Sequence, residues 1–216
     1  MSPRGRLRTA LRFAALALAL AAGRASSATA PLPAAAQIKT AFDALDSSRN
    51  GAINGAEWDR ASFVLFRSFD KNNDDAIDRE ELKATAIAPD TFRRIDLDQD
   101  DRLNAGEFTE HRRTLFLIAD IDRNDYLSPV EYELFIIMER IGWQDTNQNG
   151  RVELSELTSS LNRAFDDLDQ NRDGALQLAE AAFMRPAALT RYDGNRDGEL
   201  SREEFVAGYR NELTGG

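Results

Sequence analysis

From residue 37 onward the chain alternates between two kinds of segment. Twelve-residue polar stretches are separated by 12–14 residues in which apolar side chains recur at three- and four-residue spacing. Four residues before each polar stretch stand Phe42, Phe66, Phe92, Phe116, Ile141, Phe165 and Leu189. One residue before it stand Leu45, Phe69, Ile95, Ala119, Gln144, Leu168 and Tyr192. Directly after it come Trp58, Leu82, Phe108, Tyr132, Leu157, Ala181 and Phe205. This spacing predicts an amphipathic helix entering and leaving every polar stretch, with the aromatic stripe as core. A gap of this length holds only about 18–21 Å of helix, too little for two helices and a turn. Residues 58–69, 108–119 and 157–168 contain no breaker and each predict one shared helix. Pro89 and Pro186 interrupt two other gaps, and Gly142 lies in the gap 132–144.

The N-terminus follows a different pattern. Arg4, Arg6, Arg8 and Arg12 precede or open onto an unbroken apolar run at residues 13–22, and small residues follow, among them Ser26, Ser27 and Ala28. That is the layout of a secretory signal peptide, and the run is well short of the ~20 residues that span a bilayer. Residues 1–28 are expected to be a cleaved leader, 29–36 a short linker, and 37–216 the folded array of an exported, periplasmic or secreted protein.

Composition narrows the chemistry. The chain has 216 residues, 37 acids against 27 Lys and Arg, one His and no Cys. The formal charge of −10 argues against nucleic-acid binding. Loss of the five arginines in residues 1–28 takes it to −15. A compact domain so charged repels itself unless cations bind. Without Cys there are no disulfides, zinc–thiolate sites or iron–sulfur ligands, and His111 alone cannot build a multi-His metal centre. No G-x-S-x-G or P-loop motif is present, so no enzyme is expected.

The polar stretches are repeats. They occupy 46–57, 70–81, 96–107, 120–131, 145–156, 169–180 and 193–204, starting 24–26 residues apart. Each fits D-x-[DNS]-x-[DN]-[GD]-x-[ILV]-x-x-x-E. The chain therefore resembles the EF-hand calcium-binding superfamily. The resemblance implies an all-α tandem helix–loop–helix array with shared or short helices and small β-bridges between paired loops. It also implies Ca2+ held by hard oxygen donors from positions 1, 3, 5, 7 and 12, with position 7 offering its backbone carbonyl. Loop 1 would use Asp46, Ser48, Asn50, Ala52 and Glu57; loop 2 Asp70, Asn72, Asp74, Ala76 and Glu81; loop 3 Asp96, Asp98, Asp100, Arg102 and Glu107. Loop 4 would use Asp120, Asp122, Asn124, Tyr126 and Glu131; loop 5 Asp145, Asn147, Asn149, Arg151 and Glu156. Loop 6 would use Asp169, Asn171, Asp173, Ala175 and Glu180, and loop 7 Asp193, Asn195, Asp197, Glu199 and Glu204.

The loops are unequal. Counting position 9, loop 1 offers two acids, loops 2 and 3 four each, and the rest three. Charge count makes loop 1 the weakest. Asp75, Asp101 and Asp125 replace Gly at position 6, where the turn is sharp, so strain opposes charge in loops 2 and 3. Because breakers fall in alternate gaps, loops 2/3, 4/5 and 6/7 are expected to pair through position 8 (Ile53, Ile77, Leu103, Leu127, Val152, Leu176, Leu200), leaving loop 1 over. An odd hand allows pairing between copies. The resemblance implies a calcium buffer or sensor. With two Met left after processing, Met138 and Met184, buffering is favoured over a Met-rich target groove. The alternative is a calcium-rigidified scaffold that binds a protein partner through residues 115–118 or 135–138.

Overall fold

The computed structural model describes residues 32–83, 89–147 and 149–215. The expected leader lies outside them, as do residues 29–31 of the expected linker. The first helix, α1 (Ala35–Leu45), takes in Ala35 and Ala36, which the sequence places in that linker. Its start is anchored, since the Ala35 amide donates to the Ala182 carbonyl at 2.9 Å.

The remaining elements follow in order. They are β1 (Ile53–Asn54), α2 (Gly55–Phe69), β2 (Ala76–Ile77), α3 (Arg79–Leu82), α4 (Pro89–Ile95) and β3 (Leu103–Asn104). Then come α5 (Ala105–Ala119), β4 (Tyr126–Leu127), α6 (Pro129–Ile141), α7 (Leu154–Leu168), β5 (Ala175–Leu176), α8 (Pro186–Tyr192), β6 (Leu200–Ser201) and α9 (Arg202–Thr214). The chain is thus a helical helix–loop–helix array with short antiparallel bridges. The unbroken gaps form single shared helices, α2, α5 and α7. Gly142 caps α6 at a φ of 92°, which suits glycine. Loop 6 departs from the expected pattern: it leaves through turns at 178–183 rather than an α-helix. Pro186 stands six residues after Glu180 and disfavours helical backbone at Arg185, so an exit helix has no room to grow.

Loop pairing corrects one expectation. Ile77 faces Leu103 and Leu176 faces Leu200, so loops 2/3 and 6/7 pair as expected. Loop 4 pairs with loop 1, Ile53 facing Leu127, and the described residues of loop 5 form no strand. The cause is the stiffness of α2 and α5. Each is a 15-residue rod about 22 Å long, with one loop at each end. Once loops 2 and 3 bridge, the C-terminal end of α2 and the N-terminal end of α5 are held together. The helices then lie antiparallel, which brings loop 1 against loop 4. Ring contacts run the length of this pair: Phe66–Phe108 at 5.8 Å near one end and Trp58–Phe116 at 5.8 Å near the other. Helices α7 and α9 repeat the arrangement, with Phe165–Phe205 at 5.9 Å beside the bridge of loops 6 and 7. At the far end of α9, Leu213 and Thr214 line a cavity with Val152, Glu153 and Leu154 of loop 5, where a partner loop would otherwise stand.

Helix α6 is the centre of the core. Every residue from Val130 through Met138 is buried, and the helix contacts α1, α5, α7 and α9. A helix covered on all sides is expected to be apolar all round, yet α6 carries Glu133 at 0% exposure. Its carboxylate accepts from Tyr209 Oη at 2.6 Å, and from the Arg185 amide and Nε at 3.0 and 3.2 Å. Arg185 also donates to Glu212, which accepts from Tyr192 Oη at 2.5 Å. This network ties α6 to the unit built from loops 6 and 7. Gly208 permits it, because a Cβ there would sit 2.2 Å from the Tyr192 ring.

A second charged group lies between α5 and α6. Arg112, 2% exposed, stacks 4.5 Å from the Trp58 ring centroid. Burial pushes the partly buried Glu139 carboxyl up to about 8, against the pull of Arg112. A carboxyl raised this way in the fold contributes stability that is full below its unfolded value of about 4.3 and is lost as pH rises through about 8. The Glu139 contribution to the denaturant midpoint in chelator is therefore expected to be lost between pH 5 and 8.5. The difference between wild type and Glu139→Gln isolates this group: the variant loses less over that window, and parallel profiles would refute the assignment.

Candidate metal loops

All seven loops share one set of internal hydrogen bonds. The position-1 carboxylate accepts from the amide at position 5: Asn50 to Asp46 at 3.0 Å, Asp74 to Asp70 at 3.1 Å, Asp100 to Asp96 at 3.2 Å, and Asn124 to Asp120 at 3.1 Å. Loops 5, 6 and 7 repeat it at Asp145, Asp169 and Asp193. The side-chain oxygen of position 5 accepts from the amide of position 7, as Asn50 does from Ala52 and Asp197 from Glu199, both at 2.9 Å. The closing Glu at position 12 is turned into the loop. In loops 2–7 one oxygen accepts from amides at positions 2 and 3, as Glu131 does from Ile121 at 2.9 Å and Asp122 at 3.3 Å, whereas Glu57 of loop 1 accepts from the Ser48 amide and the Ser47 hydroxyl. The other accepts from the amide at position 9, as from Ser128 at 2.9 Å.

This last contact gives position 9 a structural role as a helix cap. Asn54, Asp78, Asn104, Ser128 and Ser201 are N-caps whose side chains accept from the amide of the closing Glu, while that Glu accepts from theirs. The capping box S/T/D/N-x-x-E is legible in the repeat itself. Position 4 was also unanticipated. Arg49, Asn73, Gln99, Arg123, Arg172 and Arg196 adopt φ near +60°, and the side chains found there are long or polar and never β-branched. Position 6 behaves as expected: Gly51, Gly150, Gly174 and Gly198 are left-handed, and Asp75, Asp101 and Asp125 adopt the same backbone at 64–66°.

The expected ligands divide by burial. Asp46, Asp70, Asp96, Asp120 and Asp169 are buried, as are Glu57, Glu81, Glu107, Glu131 and Glu156. Loops 3 and 4 concentrate charge most tightly. Carboxylate oxygens of Asp96, Asp98 and Glu107 lie within 4.8 Å of one another, as do those of Asp120, Asp122 and Glu131. Desolvation by the loop, followed by the charges of Asp100, Glu107 and Asp96, leaves the exposed Asp98 raised despite the Asp100 amide. Burial likewise keeps Asp120 and Glu131 raised, aided by the Asp122 charge. Loop 1 is the opposite case. Burial works to raise Asp46 and Glu57, but backbone amides and the Ser47 and Ser48 hydroxyls outweigh it and hold both low. Its two carboxylates are held ionised by neutral donors of the loop rather than crowded by other acids, which agrees with the low charge count.

Residues offering carbonyls at position 7 (Ala52, Ala76, Arg102, Tyr126, Arg151, Ala175 and Glu199) follow the turn in every loop. The donor set is oxygen alone, dense in carboxylate and built without histidine or thiolate. That chemistry fits a hard divalent cation.

A family model described as EF hand matches residues 63–84 and 187–208. The first segment spans the end of α2, loop 2 and α3; the second spans α8, loop 7 and the start of α9. A comparison with curated proteins returned no match. Both matched segments keep the position-5 to position-1 hydrogen bond found in the other five repeats, and EF-hand loops imply calcium as the ion. These two matches support membership of the EF-hand superfamily.

Proposed function

We propose that this is an exported calcium-binding protein that acts as a buffer, with a calcium sensor as the related role, and that it has no enzymatic activity. One observation carries the reading: in every loop the position-1 Asp and the closing Glu already point inward, held by the loop's own amides. Calcium would supply the counter-charge that the crowded carboxylates of loops 3 and 4 lack. Positions 1, 3, 5, 7 and 12 of each loop would hold it, loop 1 most weakly. Export rests on the leader-like residues 1–28. At extracellular calcium levels even sites as weak as about 10⁻⁴–10⁻³ M fill.

Buffering is supported over target capture by where the apolar stripes lie. Phe135, Ile136, Ile137 and Met138 are all buried, as are Leu115 and Phe116. Leu117 is exposed and Ile118 half-buried. His111 is kept neutral, pushed down to about 4 by burial and by Arg112 and Arg94, and serves no proposed chemistry. Pairing between copies, if driven by an odd hand, falls to loop 5 rather than loop 1. Fluorescence of an apolar-surface dye during a calcium titration separates the roles. A buffer takes up calcium with the dye signal flat, whereas a several-fold rise on saturation would make the protein a sensor.

A further inference from the structure

Loop 2 differs from the other six in what its acids touch. In loops 1 and 3–7 the second oxygen of the position-1 carboxylate accepts from the position-6 amide, at 2.9–3.1 Å. In loop 2 that oxygen of Asp70 accepts from Arg67 Nη1 at 3.0 Å. Arg67 stands in α2, three residues before the loop, and the same nitrogen reaches Asp75 at 2.7 Å. The Asp70 side chain is fully buried, and the exposed Arg67 guanidinium is its counter-charge at the loop surface. A second arginine arrives from the neighbouring loop. The β2–β3 bridge sets Arg102, at position 7 of loop 3, against the carboxylate of Asp74, at position 5 of loop 2. The reciprocal pair, Arg79 with Asp101, joins the same loops but involves no expected ligand, because Asp101 is at position 6.

We infer that Arg67 and Arg102 act as tethered cations that occupy two ligand carboxylates of loop 2 and set its calcium affinity below what its four acids would otherwise give. The inference rests on the calcium reading above. A cation entering loop 2 must take Asp74 from Arg102 and Asp70 from Arg67. Because Arg102 belongs to loop 3, filling of loop 2 also frees a side chain of its bridged neighbour. An exposed pair of this kind corresponds to about a two- to fivefold effect on an equilibrium constant.

The test is calcium calorimetry on the full chain at about 0.15 M salt, where charges more than about 8 Å apart are screened. Arg102→Gln is compared with Arg79→Gln, which removes the same charge from the same loop pair but from no ligand. Arg102→Gln is expected to tighten one site about two- to fivefold. Arg79→Gln should leave the isotherm near wild type, and the gain should vanish when Glu81→Gln disables loop 2. Both arginines are exposed, so neither replacement threatens folding, and their comparison stands even if Glu81→Gln misfolds. Equal effects of the two arginine variants, or a gain that survives Glu81→Gln, would overturn the inference while leaving calcium binding intact. A wild-type chain that takes up no calcium would overturn both.

Discussion

Replacing Glu133 with Ala is expected to destabilise the protein by about 3–5 kcal/mol, the cost of removing one partner from a buried ion pair. Glu133 is fully buried and accepts three hydrogen bonds, from the Tyr209 hydroxyl and from the amide and Nε of Arg185. Truncation leaves the Arg185 guanidinium with Glu212 as its remaining carboxylate and a buried phenol without its acceptor. It also cuts the tie between α6 and the unit of loops 6 and 7. Glu133→Gln keeps an acceptor for Tyr209 and should cost less. Urea denaturation in chelator gives both values. A loss below about 1 kcal/mol for the Ala variant would show that the network is not a structural joint.

The second large effect concerns loop pairing. Leu127 and Ile53 are fully buried partners in the β1–β4 bridge. Leu127→Ala is expected to cost about 2–5 kcal/mol through lost burial and a residual cavity. It removes no ligand, yet should disturb loop 1 as well as loop 4. The amide of Gly51, which donates to Asp46 at 2.9 Å, reports on loop 1, and that of Gly150, which donates to Asp145 at 2.9 Å, reports on loop 5. The Gly51 amide resonance should shift more than that of Gly150. The reverse order would mean that loop 4 pairs with loop 5 after all.

The contrast between these loops marks how far the sequence can be read. Repeat period, loop boundaries, shared helices and the aliphatic position 8 were legible because each is a local pattern enforced at every copy. The inward Asp and Glu were legible for the same reason. The partner of loop 4 was not, since breakers in neighbouring gaps constrain only neighbouring loops. The partner follows from the antiparallel packing of α2 on α5, which requires knowing that Phe66 meets Phe108 and Trp58 meets Phe116. The arginines on loop 2 escaped likewise. Charge count ranked that loop among the richest, but Arg102 reaches Asp74 only across the bridge. Glu133 was hidden differently: its position lies on a strongly apolar helix, and its partners Arg185 and Tyr209 are distant in sequence.

Calcium binding by the seven loops is open to direct measurement. Calorimetric titration of the full chain with calcium, set against magnesium, tests it most directly. Saturable calcium binding of several equivalents per chain is expected, with magnesium weaker because it demands a smaller, near-octahedral site. Absence of saturable calcium heat up to millimolar concentration would contradict it.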